Sequence, residues 1–237
     1  MATRQAEKPS APRKPTSNRR KKAEPRGPGR PSGSANNEEQ RNRLLDTAIK
    51  LFAQQGIAET TLSAIAREAG VTPALVHYYF KSRDQLLDVL IDERIQPRRV
   101  AIAQTFDPNA GDPVTVITRL AERLLQTAVE LPWFPSLWMR EVISDNGMLR
   151  QRVLQRHGRM HFHAAIESIT RWQKAGKINP HIEPSLLFLS ISGLVMLPLI
   201  ASNAWHQDAD KPKPTSEDIA RHAVALLMHG VGVPKQA

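Results

Sequence analysis

The chain has 237 residues, 41% of them hydrophobic, enough for one large or two modest domains around a packed core. It contains no cysteine, which excludes disulfides, zinc-thiolate sites and thiol catalysis and suits a reducing cytosol. The net charge of +10 is uneven, +8 on residues 1–37 and only +2 on residues 38–237, so the basic excess belongs to the N-terminal segment and points to an acidic partner, nucleic acid first. Residues 1–37 hold Pro9, Pro12, Pro15, Pro25, Pro28 and Pro31 among Ser, Gly, Lys and Arg. Such a segment cannot bury enough apolar surface to offset its ordering entropy and is expected to be a disordered basic tail. No apolar stretch follows it within the first 40 residues, so a secretory signal is not expected.

Order is expected from Asn37, a possible N-cap with Glu38 and Glu39 behind it. Leu44, Leu45, Ala48, Leu51 and Phe52 form an apolar helical stripe that ends near Gly56. Thr60 or Thr61 caps a short helix with Leu62, Ile65 and Ala66, and Gly70 stops it. Thr72 caps the next helix, with Pro73 at its first position. Ser82 opens a long helix to about Gln104, carrying Leu86, Leu87, Leu90, Ile91 and Ile95, with Pro97 inside it as a possible end or kink. After a turn cluster at 107–112, Asp112 and Pro113 open a helix with Val114, Ile117, Leu120, Ala121, Leu124 and Ala128. Residues 133–143 read as a short aromatic helix and residues 147–176 as one longer helix. Pro184 opens a very apolar helix, and Thr215 with Asp218 three residues on forms a capping box for the last. The expectation is an all-α chain of about nine helices, with a tail at 1–37, one helical domain at 38–98 and a second at 99–237.

Residues 60–80, TTLSAIAREAGVTPALVHYYF, place two short helices about Ala69-Gly70-Val71, the length and glycine position of a DNA-binding helix-turn-helix. Ile65, Ala66 and Val71 would hold them on the Leu44–Phe52 stripe, and Thr72, Pro73 and Ala74 would lead the second helix into the groove. Of Tyr78 and Phe80, Phe80 is expected to face the core. Gly56, Thr60-Thr61, Ile65-Ala66, Ala69-Gly70-Val71-Thr72 and Tyr78-Tyr79-Phe80-Lys81-Ser82-Arg83-Asp84 with Leu86 together resemble the TetR (AcrR-type) family of bacterial transcriptional regulators. The resemblance covers about residues 38–98. It implies a cytoplasmic repressor, nucleoid-associated when bound, that holds double-stranded operator DNA as a dimer and is released by a small molecule in the C-terminal domain. It also implies that Thr61, Tyr79 and Lys81 hold phosphates, with Arg83 and Tyr78 as further candidates, while Thr72, Pro73 and Ala74 face bases or nearby backbone. His77 stands where the family usually has a recognition tyrosine, so the base preference of that position is expected to differ.

The helix-turn-helix region, residues 38–98, carries a net charge of −1, so the tail is the source of long-range attraction to DNA. Arg26 and Arg30, in RGPGRP, faintly resemble a minor-groove hook. Downstream, Trp133, Phe134, Trp138, Met139 and Trp172 are candidates for the wall of a ligand pocket, with ordinary core as the alternative. His157 and His161, four residues apart, read as pocket-lining or solvated histidines; the spacing also suits a metal, but Asp145 and Glu167 do not complete a convincing ligand set. No metal or other cofactor is expected. The helices at 184–202 and 215–229 are the expected homodimer contact, because residues 186–201 are too apolar for water yet contain Ser190, Ser192, Gly193 and Pro198 and fall short of a membrane span. Nucleophile elbows, Gly-rich phosphate loops and HExxH are absent from the sequence, so an enzyme is not expected. The competing readings are a tail-driven architectural DNA-binding protein and, further off, a metal-dependent enzyme.

Overall fold

The computed structural model describes residues 33–144, 147–158, 160–205 and 214–233. Among them every regular element is helical: α1 (Gly33–Gln55), α2 (Leu62–Glu68), α3 (Pro73–Tyr79), α4 (Arg83–Leu90), α5 (Gln96–Thr105), α6 (Pro113–Glu130), α7 (Trp133–Trp138), α8 (Met148–His157), α9 (Met160–Lys174), α10 (Pro184–Trp205) and α11 (Ser216–Val231). The expected basic tail lies outside the described residues up to 32, as does Asp145.

Local chemistry sets the helix starts. Thr61, Thr72, Ser82 and Asp112 each accept the backbone N–H three residues ahead, and Thr215 and Asp218 form a reciprocal capping box. Of the two candidate caps at 60 and 61, Thr61 is the cap. Thr60 is buried, its hydroxyl donating to the Gly56 carbonyl at 2.7 Å. Gly56 and Gly70 end α1 and α2 at φ of +91° and +67°, where a side chain would be strained. Asn37 is not an N-cap: α1 starts at Gly33, which puts Asn37 one turn inside.

Two expected helices are divided, so the described residues hold eleven α-helices rather than nine. The helix begun at Ser82 continues past Leu90 through a π-helical turn, Ile91–Ile95, in which the Gln96 N–H reaches back five residues to the Ile91 carbonyl. That turn contains Glu93, four residues before Pro97. A straight α-helix would drive the Glu93 carbonyl into the proline ring, and the wider turn avoids this. The helix expected over 147–176 breaks at Gly158, whose φ of +65° and ψ of −168° no side-chain-bearing residue readily adopts. His157 and His161 therefore stand on different helices, not four apart on one.

Two apolar clusters hold the helices. One joins Leu44, Phe52, Ile65, Val76, Phe80, Leu86 and Leu90, and takes in Leu137, Leu149 and Val153 from α7 and α8. The first four helices thus share their core with the second half of the chain. The other centres on Ile117 and Leu120 of α6, Ile169 and Trp172 of α9, Ile191, Val195 and Met196 of α10, and Ile219 and Leu227 of α11.

Candidate nucleic-acid interface and ligand cavity

α2 and α3 meet at the turn closed by the Val71 N–H on the Ala66 carbonyl, 2.9 Å. Ala66 and Ile65 are buried beneath it, and Val76 fixes α3 on the core. This leaves Thr72, Pro73, Ala74, His77 and Tyr78 on one open face, with Thr61 and Lys81 exposed beside it. Tyr78 is 73% exposed while Phe80 is 1% exposed, so Phe80 is the core aromatic. An exposed, hydroxyl-bearing tyrosine ring next to an exposed imidazole offers side chains that can reach a groove. Tyr79 is half-buried against Tyr78 and Phe80, and its hydroxyl donates to Asn37 Oδ1 of α1 at 3.4 Å. Arg83 already has a task within the fold: its guanidinium donates to the carbonyl of Ala58 at 2.7 Å and holds the loop that leads into α2.

A cavity of about 640 Å³ lies between α5, α7, α8, α9 and α10. Trp133, Phe134 and Trp138 line it as the sequence suggested, but α5 and α10 add Ile102, Phe106 and Phe188. Small side chains on α9, Ala164, Ala165 and Ser168, leave the space open. Three sequence candidates lie elsewhere. Trp172 is behind the wall, buried, with its ring 5.5 Å from that of Phe106. Met139 is on the π-helical turn Met139–Ile143 that follows α7, away from the lining. His157 faces the π-helical turn after α4, its Nε2 3.1 Å from Asp92 Oδ1. The side chain of His161 lies outside the described residues. Among the described residues no cluster of three His, Asp or Glu side chains has the spacing to hold a metal. Ile102 and Phe106, four apart after Arg98-Arg99, were a visible signal for a half-buried α5 face that periodicity around Pro97 obscured.

The exposed face and the cavity are joined by polar contacts. Asp88 and Asp92 of the α4 helix and its π-helical turn take Arg152 and Arg156 of α8, with Arg152 Nε 2.6 Å from Asp88. On its other side the same segment holds α1, through Arg41 on Glu93 and Arg94 on Asp46. The guanidiniums of Arg156 and Arg41 hold the carboxyls of Asp92 and Glu93 below the usual carboxylate range. Glu141 is the buried link. One carboxylate oxygen accepts the N–H of Ile57, just after α1, at 3.2 Å, and the other accepts the N–H of Leu149, in the first turn of α8, at 3.3 Å. Its neighbour Val142 and its partner Leu149 both line the cavity. Nothing in the sequence singled out Glu141.

α10 includes a stretch, Pro184–Ser202, of 19 residues with mean hydropathy 2.1, long and apolar enough to cross a membrane by length and composition. One side packs Ile191, Val195 and Met196 inward, while Leu186, Leu189 and Leu197 stay about half exposed. Leu226 and Met228 of α11 are likewise exposed.

Residues 44–90 match the model for bacterial regulatory proteins of the tetR family. The chain is 29% identical to the HTH-type transcriptional regulator SrpR of Pseudomonas putida over 128 residues, 52% of this chain and 56% of that one. It is 50% identical to the HTH-type transcriptional regulator BetI of Rhizobium meliloti over 92 residues, 38% of this chain and 45% of the relative. The matched regions thus span about half the length of these curated relatives. Its fold matches a putative transcriptional regulator from Saccharomonospora viridis in complex with choline, with a TM-score of 0.59 at 21% identity over 82% of this chain and 98% of that one. The helix-turn-helix part of the chain, residues 44–90, is that of the tetR family of bacterial regulatory proteins.

Proposed function

We propose that the protein is a sequence-specific transcriptional regulator, a cytoplasmic repressor rather than an enzyme, that leaves its operator when a small molecule fills the α5–α10 cavity. The carrying observation is that the exposed Thr72–Tyr78 face and the cavity share helices: α4 packs on the first and runs through its π-helical turn into α5, a wall of the second. Glu141 and the Asp88 and Asp92 ion pairs tie the same two regions together. Displacing α7 or α8 from within the cavity changes where Ile57 and α4 sit, and hence where α3 meets DNA. A ligand does this only by its differential affinity for the two arrangements; a hundredfold loss of operator affinity requires about 2.7 kcal/mol. Thr61, Thr72, Pro73, Ala74, His77, Tyr78, Tyr79, Lys81 and the remaining donors of Arg83 are the proposed DNA contacts. Residues 38–98 and 99–237 are the proposed DNA-binding and effector domains.

The test is binding to genomic fragments selected by the full chain. Tyr79→Ala, at a phosphate, should weaken all sequences alike, while His77→Ala, at base edges, should reorder them. Equal, uniform losses from both would refute the role assignment. A second reading, tail-driven binding, draws on the +8 of residues 1–37 against the −1 of residues 38–98. Deleting residues 1–37 should flatten the slope of log affinity against log salt and keep the ranking of sites. Loss of DNA binding would favour the architectural reading instead.

A further inference from the structure

The cavity wall is apolar and aromatic, yet Arg98, Arg99 and Arg150 line it too, and among the described residues no aspartate or glutamate does. Arg98 and Arg150 are exposed, whereas Arg99 is half-buried. Among the described residues the Arg99 guanidinium makes one hydrogen bond, from Nη1 to Gln96 Oε1 at 2.8 Å, on its own helix. The arginines that fasten the helices are different: Arg41, Arg94, Arg152 and Arg156 each hold a carboxylate. A guanidinium offers five donors, and taking it out of water without an anion is costly. Burial accordingly pushes the Arg99 guanidinium below its ordinary pKa.

We infer that the cavity takes an amphipathic carboxylate, with its apolar body against Ile102, Phe106, Phe134 and Trp138 and its carboxylate on the Arg99 guanidinium. A carboxylate matches the guanidinium fork with two parallel hydrogen bonds, and the apolar surroundings strengthen the pairing. Arg98 and Arg150 add charge of the same sign to the wall. A quaternary ammonium could find aromatic faces here, but among the described residues it would meet three cations and no lining carboxylate. The inference rests on the effector-cavity reading above and adds the class of ligand.

The experiment compares three amphiphiles with matched alkyl chains, decanoate, 1-decanol and decyltrimethylammonium, each below its micelle concentration. Binding to the full chain is followed through Trp133 and Trp138 fluorescence. Decanoate should bind at least about tenfold more tightly than decanol, the increment of one charge-assisted contact, and the ammonium should bind least. Arg99→Met should abolish the preference for the acid while leaving decanol affinity unchanged, and Arg99→Lys should keep only part of it. Ligand-free Arg99→Met should melt above the unaltered chain, since an unpaired half-buried cation has been removed; that melt also establishes that the variant folds. Equal affinity for acid and alcohol, or a full acid preference in Arg99→Met or Arg99→Lys, would overturn the assignment and leave the cavity reading standing. Failure of all three amphiphiles to bind would overturn both.

Discussion

Glu141 concentrates more of the fold into one side chain than any residue of the exposed face. Its two oxygens each take a backbone N–H, from segments 84 residues and 8 residues away in the chain. Neither glutamine nor alanine can replace that. In Glu141→Gln the side-chain NH₂ group would turn toward one of the two donors, and Glu141→Ala would leave both donors unpaired in a buried site. Each stranded N–H costs about 1–3 kcal/mol. Glu141→Gln and Glu141→Ala should therefore lower the melting temperature by several degrees, with Glu141→Ala the worse. Both should also weaken the effect of cavity ligands on DNA affinity more than they weaken ligand binding itself. Unchanged coupling in a folded Glu141→Ala protein would remove Glu141 from the transmission. The ion pairs make a separate prediction in pH. Asp92 and Glu93 have carboxyls held below the ordinary range by Arg156 and Arg41, so their contribution is complete above the unfolded pKa, about 4, and fades as pH falls through the folded one. These pairs are partly exposed and individually modest. Asp92→Asn should thus leave the neutral melting temperature nearly unchanged but flatten the fall in stability below about pH 4. Circular-dichroism melts across an acid series would show it, and superimposable acid limbs would contradict it.

At the scale of elements, two interruptions shape the route between the exposed face and the cavity. The π-helical turn at Ile91–Ile95 lets one helix carry Pro97 without ending, so α4 and α5 remain a continuous strut. The break at Gly158 does the reverse: it turns the chain between α8 and α9, so that Leu149 and Val153 of one helix and Ala164, Ala165 and Ser168 of the other line the cavity as separate walls. A single helix over that span could not line it from two sides. Nothing crowds the space a Gly158 side chain would occupy, so the cost of substitution is conformational rather than steric. Gly158→Ala should destabilise by about 1–3 kcal/mol through backbone strain. Chemical unfolding should show a lower midpoint with an unchanged slope, and the variant should bind cavity ligands less well. A midpoint equal to that of the unaltered chain would mean the corner relaxes into continuous helix at no cost.

For the whole molecule the open question is what covers α10 and α11. Leu186, Leu189 and Leu197 on one helix and Leu226 and Met228 on the next stay exposed, while the opposite sides of both helices are sealed in the core. Exposed apolar side chains gathered on two packed helices point to an interface. Residues 184–202 and 215–229 of a second copy are the proposed cover, giving a bundle of four helices with two recognition faces for a near-palindromic site. Sedimentation at micromolar concentration should give twice the 26.5 kDa of one chain. Leu189→Glu with Leu226→Glu should give a folded single chain with much weaker operator binding. A soluble 26.5 kDa species from the unaltered protein would sink the proposal.

The helix-turn-helix was legible because its signals are local. Caps at Thr61, Thr72 and Ser82 act over three residues, glycines 56 and 70 act on their own φ, and the Leu44–Phe52 and Leu86–Ile95 stripes follow the helical period. Each such term is complete within one turn of chain, so residue type and spacing suffice to find it. The choice of Phe80 over Tyr78 as the core aromatic was decided by packing, because Phe80 caps α3 in extended backbone outside any helical stripe. The cavity was legible only in part: the Trp133–Trp138 cluster announced apolar surface, but whether an aromatic lines a void or fills it depends on what stands opposite. Ala164, Ala165 and Ser168 supply the room, and Phe106 covers Trp172, through contacts that no window of sequence contains. Gly158 was visible as a letter, yet one glycine inside a helical pattern costs only about 1 kcal/mol, so packing had to choose between tolerating it and turning there. Glu141 and Arg99 belong wholly to the tertiary level. A carboxylate becomes a clamp, and a guanidinium a waiting partner for an anion, only when distant backbone and apolar walls take away the water that would otherwise satisfy them.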